Sequence, residues 1–533
     1  MSSGRILAAL LAMYAILAYA TDHVSSETTK DIGIETTQKT HKRKSDEGTP
    51  QQVVTREPKQ QERPLEIVFF INNVRSAPPE FAADLLIRIA ESKKIADLAW
   101  KRELIEEAFR LAPSAQQAVK RVALPSSPTD TRTGFLAQAF ELKLDALSLQ
   151  CRALNAMLAV DTKKARELFA EMPRVQLPPL TCEDLLVYDV SDLFGTLKRI
   201  AETCFTSKEI KRNEPLQLIE SYIDQLASPI EIAPALELIG AFNTSKAGRE
   251  DLIQIFSNAL SRISGDDRSF TRTLYDVDRA IKNLIIQCHQ QEVSRDELLR
   301  AYRTYLVRHF NAARCADNGL VLTKRMQSAV ISDFNSDLRL KGQRNILEIS
   351  ADDLKPSRAD GTASIQMHWQ SAKSSALLTI IKKLRFGTGD KPLTSDERDT
   401  LDWRARLDEF LKDLDDWKKE DEQTEEDYFH QKCVLLRSVI KLIPRKELRD
   451  EGIKRFVDFL NSFDLRRGSR IEWFWQANFL LKDNSYFDVS SESGRSLPVK
   501  RADMLPIVES TKSPVLYLYA EAEKSFFGSP ASK

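Results

Sequence analysis

Scarcity of glycine is the sequence feature that most constrains the fold. The chain has 17 glycines in 533 residues, whereas average usage is about 7%. Sandwiches, propellers and phosphate-binding loops use glycine at tight turns and where backbones approach closely. The composition therefore disfavours these structures. It predicts an all-α fold with little or no sheet.

Apolar residues recur at helical spacing from about residue 64 onward. Stripes of this kind cover residues 135–158, 252–263, 274–288, 403–417 and 429–443. Steps of three and four residues place the apolar side chains on one face of a helix, and successive amphipathic helices pack against one another. The pattern predicts an array of helical hairpins, arranged as an α-solenoid or as several bundles.

Four pairs of residues predict helix starts. In a capping box, a hydroxyl accepts a backbone N–H bond and a carboxylate three residues later accepts a bond in return. The pairs are Thr181 with Asp184, Thr206 with Glu209, Ser294 with Glu297, and Thr394 with Glu397.

Two segments, 105–113 and 165–173, echo each other and end in proline. Each resembles the second helix of a tetratricopeptide hairpin, with small and large apolar residues on one face. The period of about 34 residues that marks that family is absent, so the segments predict helical hairpins only. The whole chain resembles exported α-helical repeat proteins of unknown function. This resemblance implies a helical array and assigns no catalytic residue.

The N-terminus predicts export. Arg5 precedes an apolar run over residues 6–20, which ends in the small-x-small sequence Ala18-Tyr19-Ala20. The run is shorter than the ~20 residues that span a bilayer, so a signal peptide cleaved after Ala20 is predicted. The expected location is periplasmic or extracellular, and no transmembrane segment is expected after cleavage. An uncleaved anchor and a buried helix are the alternatives.

Composition divides the rest of the chain. Residues 21–63 are polar and aperiodic, which predicts a disordered linker. A helical-hairpin domain is predicted at 64–317, an irregular connection at 318–360 and a C-terminal helical domain at 361–533.

Charge is balanced overall, with 78 basic and 78 acidic residues. A nucleic-acid partner is therefore not expected. Residues 396–430 carry 15 acids and 6 bases, and residues 431–470 carry 11 bases and 5 acids. Helices of opposite charge attract, so these two segments are expected to neutralise each other.

Asp427, His430 and Cys433 are candidate metal ligands, because their spacing places them on successive turns of one helix. A carboxylate-bridged di-iron site needs a second acidic-x-x-His motif, which the sequence lacks, and structural zinc needs four ligands. The alternative is a buried cysteine beside a surface histidine. No cofactor is predicted.

Trp473 and Trp475 lie in the densest aromatic run and are candidate ligand-binding residues. On a helix their side chains point about 200° apart, so they cannot form one stacking platform. The alternative is that at least one of them lies in the core.

Six cysteines are compatible with an exported chain. Cys182 with Cys204, or Cys288 with Cys315, could each close a helical hairpin by a disulfide. The favoured alternative is that most cysteines are buried as small hydrophobic residues.

No reaction is identifiable, because Gly-x-Ser-x-Gly and the P-loop motif are both absent. The expected function is that of an exported scaffold or adaptor that binds a protein partner, rather than an enzyme. The alternative is a helical-toroid enzyme or binding protein that acts on polysaccharide. Its mark would be a cleft with carboxylates and with Trp369, Trp473 or Trp475.

Overall fold

Helices make up most of the regular structure in the computed structural model, which confirms the predicted all-α class. The residues that the structure describes are 63–123, 132–178, 180, 184, 186–312, 316–317, 324–339, 348–354, 362–363, 371–421, 423–480 and 513–527. They all belong to one unit, residues 61–533. The predicted signal peptide and most of the predicted linker lie outside the described residues.

The helices of the N-terminal part follow one another with short connections. They are α1 (Leu65–Val74), α2 (Pro79–Glu91), α3 (Leu98–Leu111), α4 (Arg132–Phe140), α5 (Ala146–Leu158), α6 (Thr162–Glu171), α7 (Ser191–Thr203), α8 (Ser207–Lys211), α9 (Glu214–Ile223), α10 (Pro229–Ala241), α11 (Lys246–Arg262), α12 (Phe270–Gln290) and α13 (Asp296–Phe310).

The C-terminal part is also helical. Its helices are α14 (Lys324–Arg339), α15 (Ala372–Phe386), α16 (Ser395–Arg398), α17 (Leu401–Asp416), α18 (Glu425–Leu442), α19 (Lys446–Ser462), α20 (Arg470–Ala477) and α21 (Pro514–Ala522). Helix α14 lies inside the predicted irregular connection, and a π-helical turn, Glu523–Phe527, follows α21.

Strands are few in the described residues. Strand β1 (Arg121–Ala123) pairs antiparallel with β2 (Leu186–Tyr188), with Arg121 opposite Tyr188. Two-residue strands β3 (Ala316–Asp317) and β4 (Thr362–Ala363) pair in parallel. The prediction of little or no sheet is confirmed.

Helices in the N-terminal part form two neighbouring rows. In one row α2 contacts α5, α5 contacts α7, α7 contacts α10 and α10 contacts α12. In the other row α9 contacts α11 and α11 contacts α13, while the ion pair between Arg166 and Glu214 joins α6 to α9. In the C-terminal part α18 contacts α15 and α19, and α20 contacts both α19 and α4. This arrangement is the predicted array of helical hairpins.

Two of the predicted capping boxes are present. Thr206 and Glu209 exchange bonds at the start of α8, and Thr394 and Glu397 do so at the start of α16. Each box satisfies two amide groups that a helix N-terminus would otherwise leave unpaired. The box predicted at Thr181 lies partly outside the described residues.

The box predicted at Ser294 is wrong. Helix α13 begins at Asp296, and its N-cap is Arg295, whose side chain forms no capping bond. Asp296 and Glu297 lie in the first turn instead. Their negative charges stabilise the positive end of the helix dipole.

The apolar stripe at 135–158 forms two helices, α4 and α5. Lys143 adopts a left-handed backbone conformation, with φ of 54°. Asp145 then begins α5, because its carboxylate accepts a bond from the Ser148 amide at 3.0 Å. The acidic cap and the left-handed turn interrupt a pattern that is otherwise continuous.

Helix α2 is enclosed by its neighbours. Ten of its 13 residues are buried, which requires contacts on every side. It packs on α1, α3, α5 and α21. Two of its buried residues, Glu80 and Asp84, are acidic, so their charges need partners within the fold.

Glu80 is fully buried and pairs with an arginine far along the chain. Both of its carboxylate oxygens lie 3.1–3.2 Å from Nη1 of Arg470, at the start of α20. Gln116 reinforces the contact, since its Nε2 donates to the Gly468 carbonyl and its Oε1 accepts from the Arg470 amide. These bonds attach α20 to the N-terminal part.

Asp84 and Arg88 continue the same face of α2 at four-residue spacing. Asp84 accepts from Tyr519 at 2.7 Å and from Arg152 at 2.6 Å. Arg88 pairs with Glu523. Glu80, Asp84 and Arg88 are called the α2 polar stripe below. The stripe binds both C-terminal segments that pack on α2.

Among the residues that the structure describes, no helix combines the length and the apolar character needed to cross a bilayer.

Arg470→Ala is expected to lower the free energy of unfolding by about 3 kcal/mol, because the Glu80 carboxylate would be left buried without its cation. Urea unfolding checks this value. Arg467→Ala is the matched control, since Arg467 lies three residues away with its side chain 90% exposed, and a change below about 0.5 kcal/mol is expected. Equal losses in the two variants would contradict the assignment.

Candidate functional site

A cavity of about 440 Å³ lies where three successive helix pairs meet. It is called the Arg174 cavity below. Its lining combines apolar and polar groups from the segment after α6, from β2, from the ends of α7, α9 and α10, and from the connection between α11 and α12. The lining residues are Arg174, Val175, Gln176, Leu177, Pro178, Leu180, Tyr188, Leu193, Phe194, Tyr222, Gln225, Ala227, Ser228, Glu231, Ser264, Asp266, Asp267 and Arg268.

Arg174 is held in place on one wall. Its guanidinium carbon lies 3.3 Å from the centre of the Tyr222 ring. Its Nη2 donates to Ser221 Oγ at 3.1 Å. The Tyr222 ring in turn packs on Phe169 at 5.6 Å, which fixes the ring from α6. A guanidinium held by a ring and a hydroxyl loses little freedom when it binds an anion.

A second arginine covers the other tyrosine of the cavity. The guanidinium carbon of Arg121 lies 5.0 Å from the centre of the Tyr188 ring. Strand pairing produces this contact, because Arg121 and Tyr188 are directly opposite each other in β1 and β2. Each tyrosine in the lining therefore has an arginine over one of its faces.

Two carboxylates of the cavity accept bonds from residues at helix starts. Asp267 accepts from Ser228 Oγ at 2.7 Å and from the Ser269 hydroxyl and amide at 2.6 and 2.8 Å. Glu231 accepts from the amides of Ala227 and Ser228 at 2.8 and 3.0 Å. These bonds fix the connection between α9 and α10 against the start of α12.

The surroundings of Glu231 in the cavity raise the pKa of its carboxyl group. Burial raises the pKa of its carboxyl group, the bonds from the Ala227 and Ser228 amides oppose that rise, and the charge of Asp267 adds to it. The charged form of Glu231 is thus less favourable in the folded chain than in the unfolded chain.

The Arg174 cavity can bind an anionic group flanked by apolar atoms. A guanidinium binds a carboxylate through two parallel N–H bonds. Leu177, Leu193 and Phe194 provide apolar surface beside it. A volume of this size accommodates a few side chains or a small molecule.

The candidate metal ligands Asp427, His430 and Cys433 are not brought together as a metal site. Among the described residues, no group of three or more His, Cys, Asp or Glu side chains could hold a metal ion. Cys433 is fully buried, and burial raises the pKa of its thiol. Asp427 lies in the first turn of α18, where its amide donates to Thr424.

His430 is buried rather than at the surface and joins three helices. Its Nε2 lies 2.7 Å from a Glu472 oxygen, and its Nδ1 lies 2.9 Å from Gln476 Nε2. Its ring stacks on Phe135 of α4 at 5.5 Å. Both ring nitrogens are therefore engaged by α20, so the role that the geometry supports is structural.

The two candidate tryptophans lie in different surroundings. Trp473 is 1% exposed, and its indole N–H donates to the Leu460 carbonyl at 2.9 Å. Trp475 is half-buried between Phe135 and the Arg437 guanidinium. Trp473 belongs to the hydrophobic core.

The described cysteines are free thiols. Cys151, Cys288 and Cys433 are buried, and Cys204 is half-buried. The suggested disulfide partners Cys182 and Cys315 lie outside the described residues. The three buried thiols pack within the hydrophobic core.

The oppositely charged C-terminal segments do contact each other. Arg445 lies 2.7 Å from Asp399, and Arg455 pairs with Asp415 of α17. These pairs connect the acidic segment to the basic α19 region, as expected. Exposed pairs of this kind stabilise a fold by about 0–1 kcal/mol each.

No family model, no curated protein and no solved structure matches the chain.

Sequence reasoning missed both Arg174 and the α2 polar stripe. Arg174 follows a predicted helix end, and nothing local indicates that Tyr222 lies beneath it. The stripe had a detectable signal, because Glu80, Asp84 and Arg88 recur at four-residue spacing in a strongly apolar helix. Charges on an otherwise buried face indicate distant partners.

Glu231→Gln is expected to stabilise the chain at pH 7 relative to the native chain and to have little effect at pH 4. Because the pKa of Glu231 is higher in the folded chain than in the unfolded chain, the folded state binds more protons. The stability of the native chain therefore falls as the pH rises from the pKa of Glu231 in the unfolded chain through its pKa in the folded chain. Glutamine keeps the capping acceptor and removes this loss. Urea unfolding at both pH values measures the difference.

Glu237→Gln on the same helix is the control, since Glu237 is exposed and its replacement should matter little at either pH. A Glu231→Gln variant that is less stable than the native chain at pH 7 would show that the carboxylate is stabilising when charged.

Proposed function

We propose that the chain is an exported helical scaffold that binds a protein segment in the Arg174 cavity. The segment carries a carboxylate, from an acidic side chain or a chain terminus, next to apolar side chains. The observation that carries this proposal is the placement of the Arg174 guanidinium on Tyr222 and Ser221, beside apolar walls.

The surrounding architecture supports a protein partner. Segments from three consecutive helix pairs line the cavity, so a ligand there contacts several elements of the array at once. Stacked hairpins present extended surfaces of this kind to peptides and proteins. The Asp267 and Glu231 bonds hold the elements at fixed spacing, which reduces the ordering cost of binding.

A polysaccharide is the second candidate ligand. The presence of Asp266, Asp267 and Glu231 in one cavity favours it, since carboxylates bind sugar hydroxyls and a pair of them can act in glycoside hydrolysis. The covered faces of Tyr188 and Tyr222 count against it. Sugar rings bind best on open aromatic faces, so the protein segment is preferred.

Display of random peptides against the purified chain tests the preference. Enriched peptides are expected to combine an acidic residue or free C-terminus with leucine, valine or phenylalanine. Arg174→Ala should weaken their binding by about tenfold or more, because a charge-assisted bond contributes about 1.5–3 kcal/mol. Calorimetry with one enriched peptide measures the change.

Arg212→Ala is the matched control, since the Arg212 side chain is 73% exposed. This variant should bind the peptide with the same affinity as the native chain. Enrichment without acidic groups, or equal binding by the Arg174→Ala variant, would contradict the proposal. Binding of soluble glucans or chitooligosaccharides in place of peptides would select the polysaccharide ligand.

The export part of the proposal predicts a mature N-terminus at Thr21 when the chain is expressed in its own cells. Mass spectrometry of the secreted or periplasmic fraction identifies that terminus. Detection of Met1 on the exported chain would indicate an uncleaved anchor, and an intact chain confined to the cytosol would contradict export.

A further inference from the structure

The C-terminal helix occupies a groove formed by distant parts of the chain. Residues 481–512 separate it from the 3₁₀ turn that ends at Leu480. A chain of that length can span up to about 100 Å. Helix α21 packs against α2, its Tyr519 contacts α20, and Phe526 in the turn after it contacts α1. Covalent connection therefore does not dictate which groove it fills.

Most contacts between the 513–527 segment and the groove are apolar. Val515, Leu516, Leu518 and Ala522 are buried although the helix has only nine residues. Tyr519 packs 4.4 Å from Phe474 and 6.2 Å from Phe81 in ring-centre distance. Beyond the helix, Phe526 packs 5.4 Å from Phe70. The groove thus receives an apolar face along the whole segment.

Two polar contacts fix the register of the helix. The Tyr519 hydroxyl donates to Asp84 at 2.7 Å, and Glu523 pairs with Arg88. Tyr519 and Glu523 are four residues apart, as are Asp84 and Arg88, so two helices of matching spacing meet. A phenol and a carboxylate on one helix thereby recognise a carboxylate and a guanidinium on the other.

We infer that the groove between α1, α2 and α20 is a helix-binding site, and that its second occupant is the 513–527 segment of another copy of this chain. Every copy carries a segment that fits the groove, and the intervening residues are long enough to let the segment reach a neighbour. When two copies exchange their 513–527 segments, each segment makes with the other copy the contacts that it makes within a single copy.

The closed monomer and the exchanged dimer contain equal numbers of these contacts. The bonds of Tyr519 and Glu523 therefore affect how readily the segment leaves its own groove more than they affect the equilibrium between monomer and dimer. Within one chain, the tether supplies an effective concentration in the millimolar range. A segment from another molecule therefore competes poorly with the chain's own segment unless the bonds of the chain's own segment are weakened.

A fluorescent peptide of residues 513–527, added to the full chain, tests the inference. Tyr519→Phe in the chain should strengthen peptide binding about tenfold, because the tethered helix loses its bond to the buried Asp84. The same change in the peptide should weaken binding by a similar factor. Tyr517→Phe is the matched control, since Tyr517 is 42% exposed on the same helix, and it should change neither value.

Circular dichroism first establishes that the Tyr519→Phe chain is folded, and Glu523→Gln provides an independent weakening of the tethered helix. Light scattering of the native chain at rising concentration should show a dimer whose formation the peptide suppresses. Absence of peptide binding to both weakened chains would overturn the helix-binding site. Peptide binding without any dimer would overturn the second copy as its occupant.

Discussion

The buried carboxylates of α2 impose the requirement on which the arrangement of the C-terminal segments depends. Glu80 and Asp84 are removed from water by packing on every side of the helix, and a buried charge is tolerated only with a partner. Arg470 of α20 pairs with Glu80, whereas Asp84 pairs with Arg152 of α5 and accepts a bond from Tyr519 of α21. Two regions about 400 residues apart in sequence are thereby joined at a single helix.

The Arg174 cavity belongs to the same helical array, but it depends on contacts other than those of the α2 polar stripe. On one side, Asp267 and Glu231 accept bonds beside the starts of α12 and α10. On the other side, the Tyr222 ring of α9 holds the Arg174 guanidinium. Bonds that begin helices thus also place polar groups around an apolar recess. A fold without an identifiable catalytic motif in its sequence can in this way still form a recess that contains a positioned cation.

The sequence predicts the helices better than it predicts their partners. Periodicity and the Thr206 and Thr394 caps depend on residues three or four positions apart, so they can be read locally. At Ser294 the motif is present, yet α13 begins two residues later, at Asp296. The pairing of Tyr222 with Arg174, or of His430 with Glu472, depends on tertiary packing. No local pattern specifies such contacts, which is why the candidate cavity was not predicted.

Native-state hydrogen exchange most directly tests the claim that the α2 polar stripe makes α2 and α20 one cooperative unit. The core amides of α2 and α20 are predicted to exchange with the same free energy of opening, equal to that of global unfolding. Opening of α20 at a free energy lower by about 3 kcal/mol or more, with α2 still protected, would contradict the account.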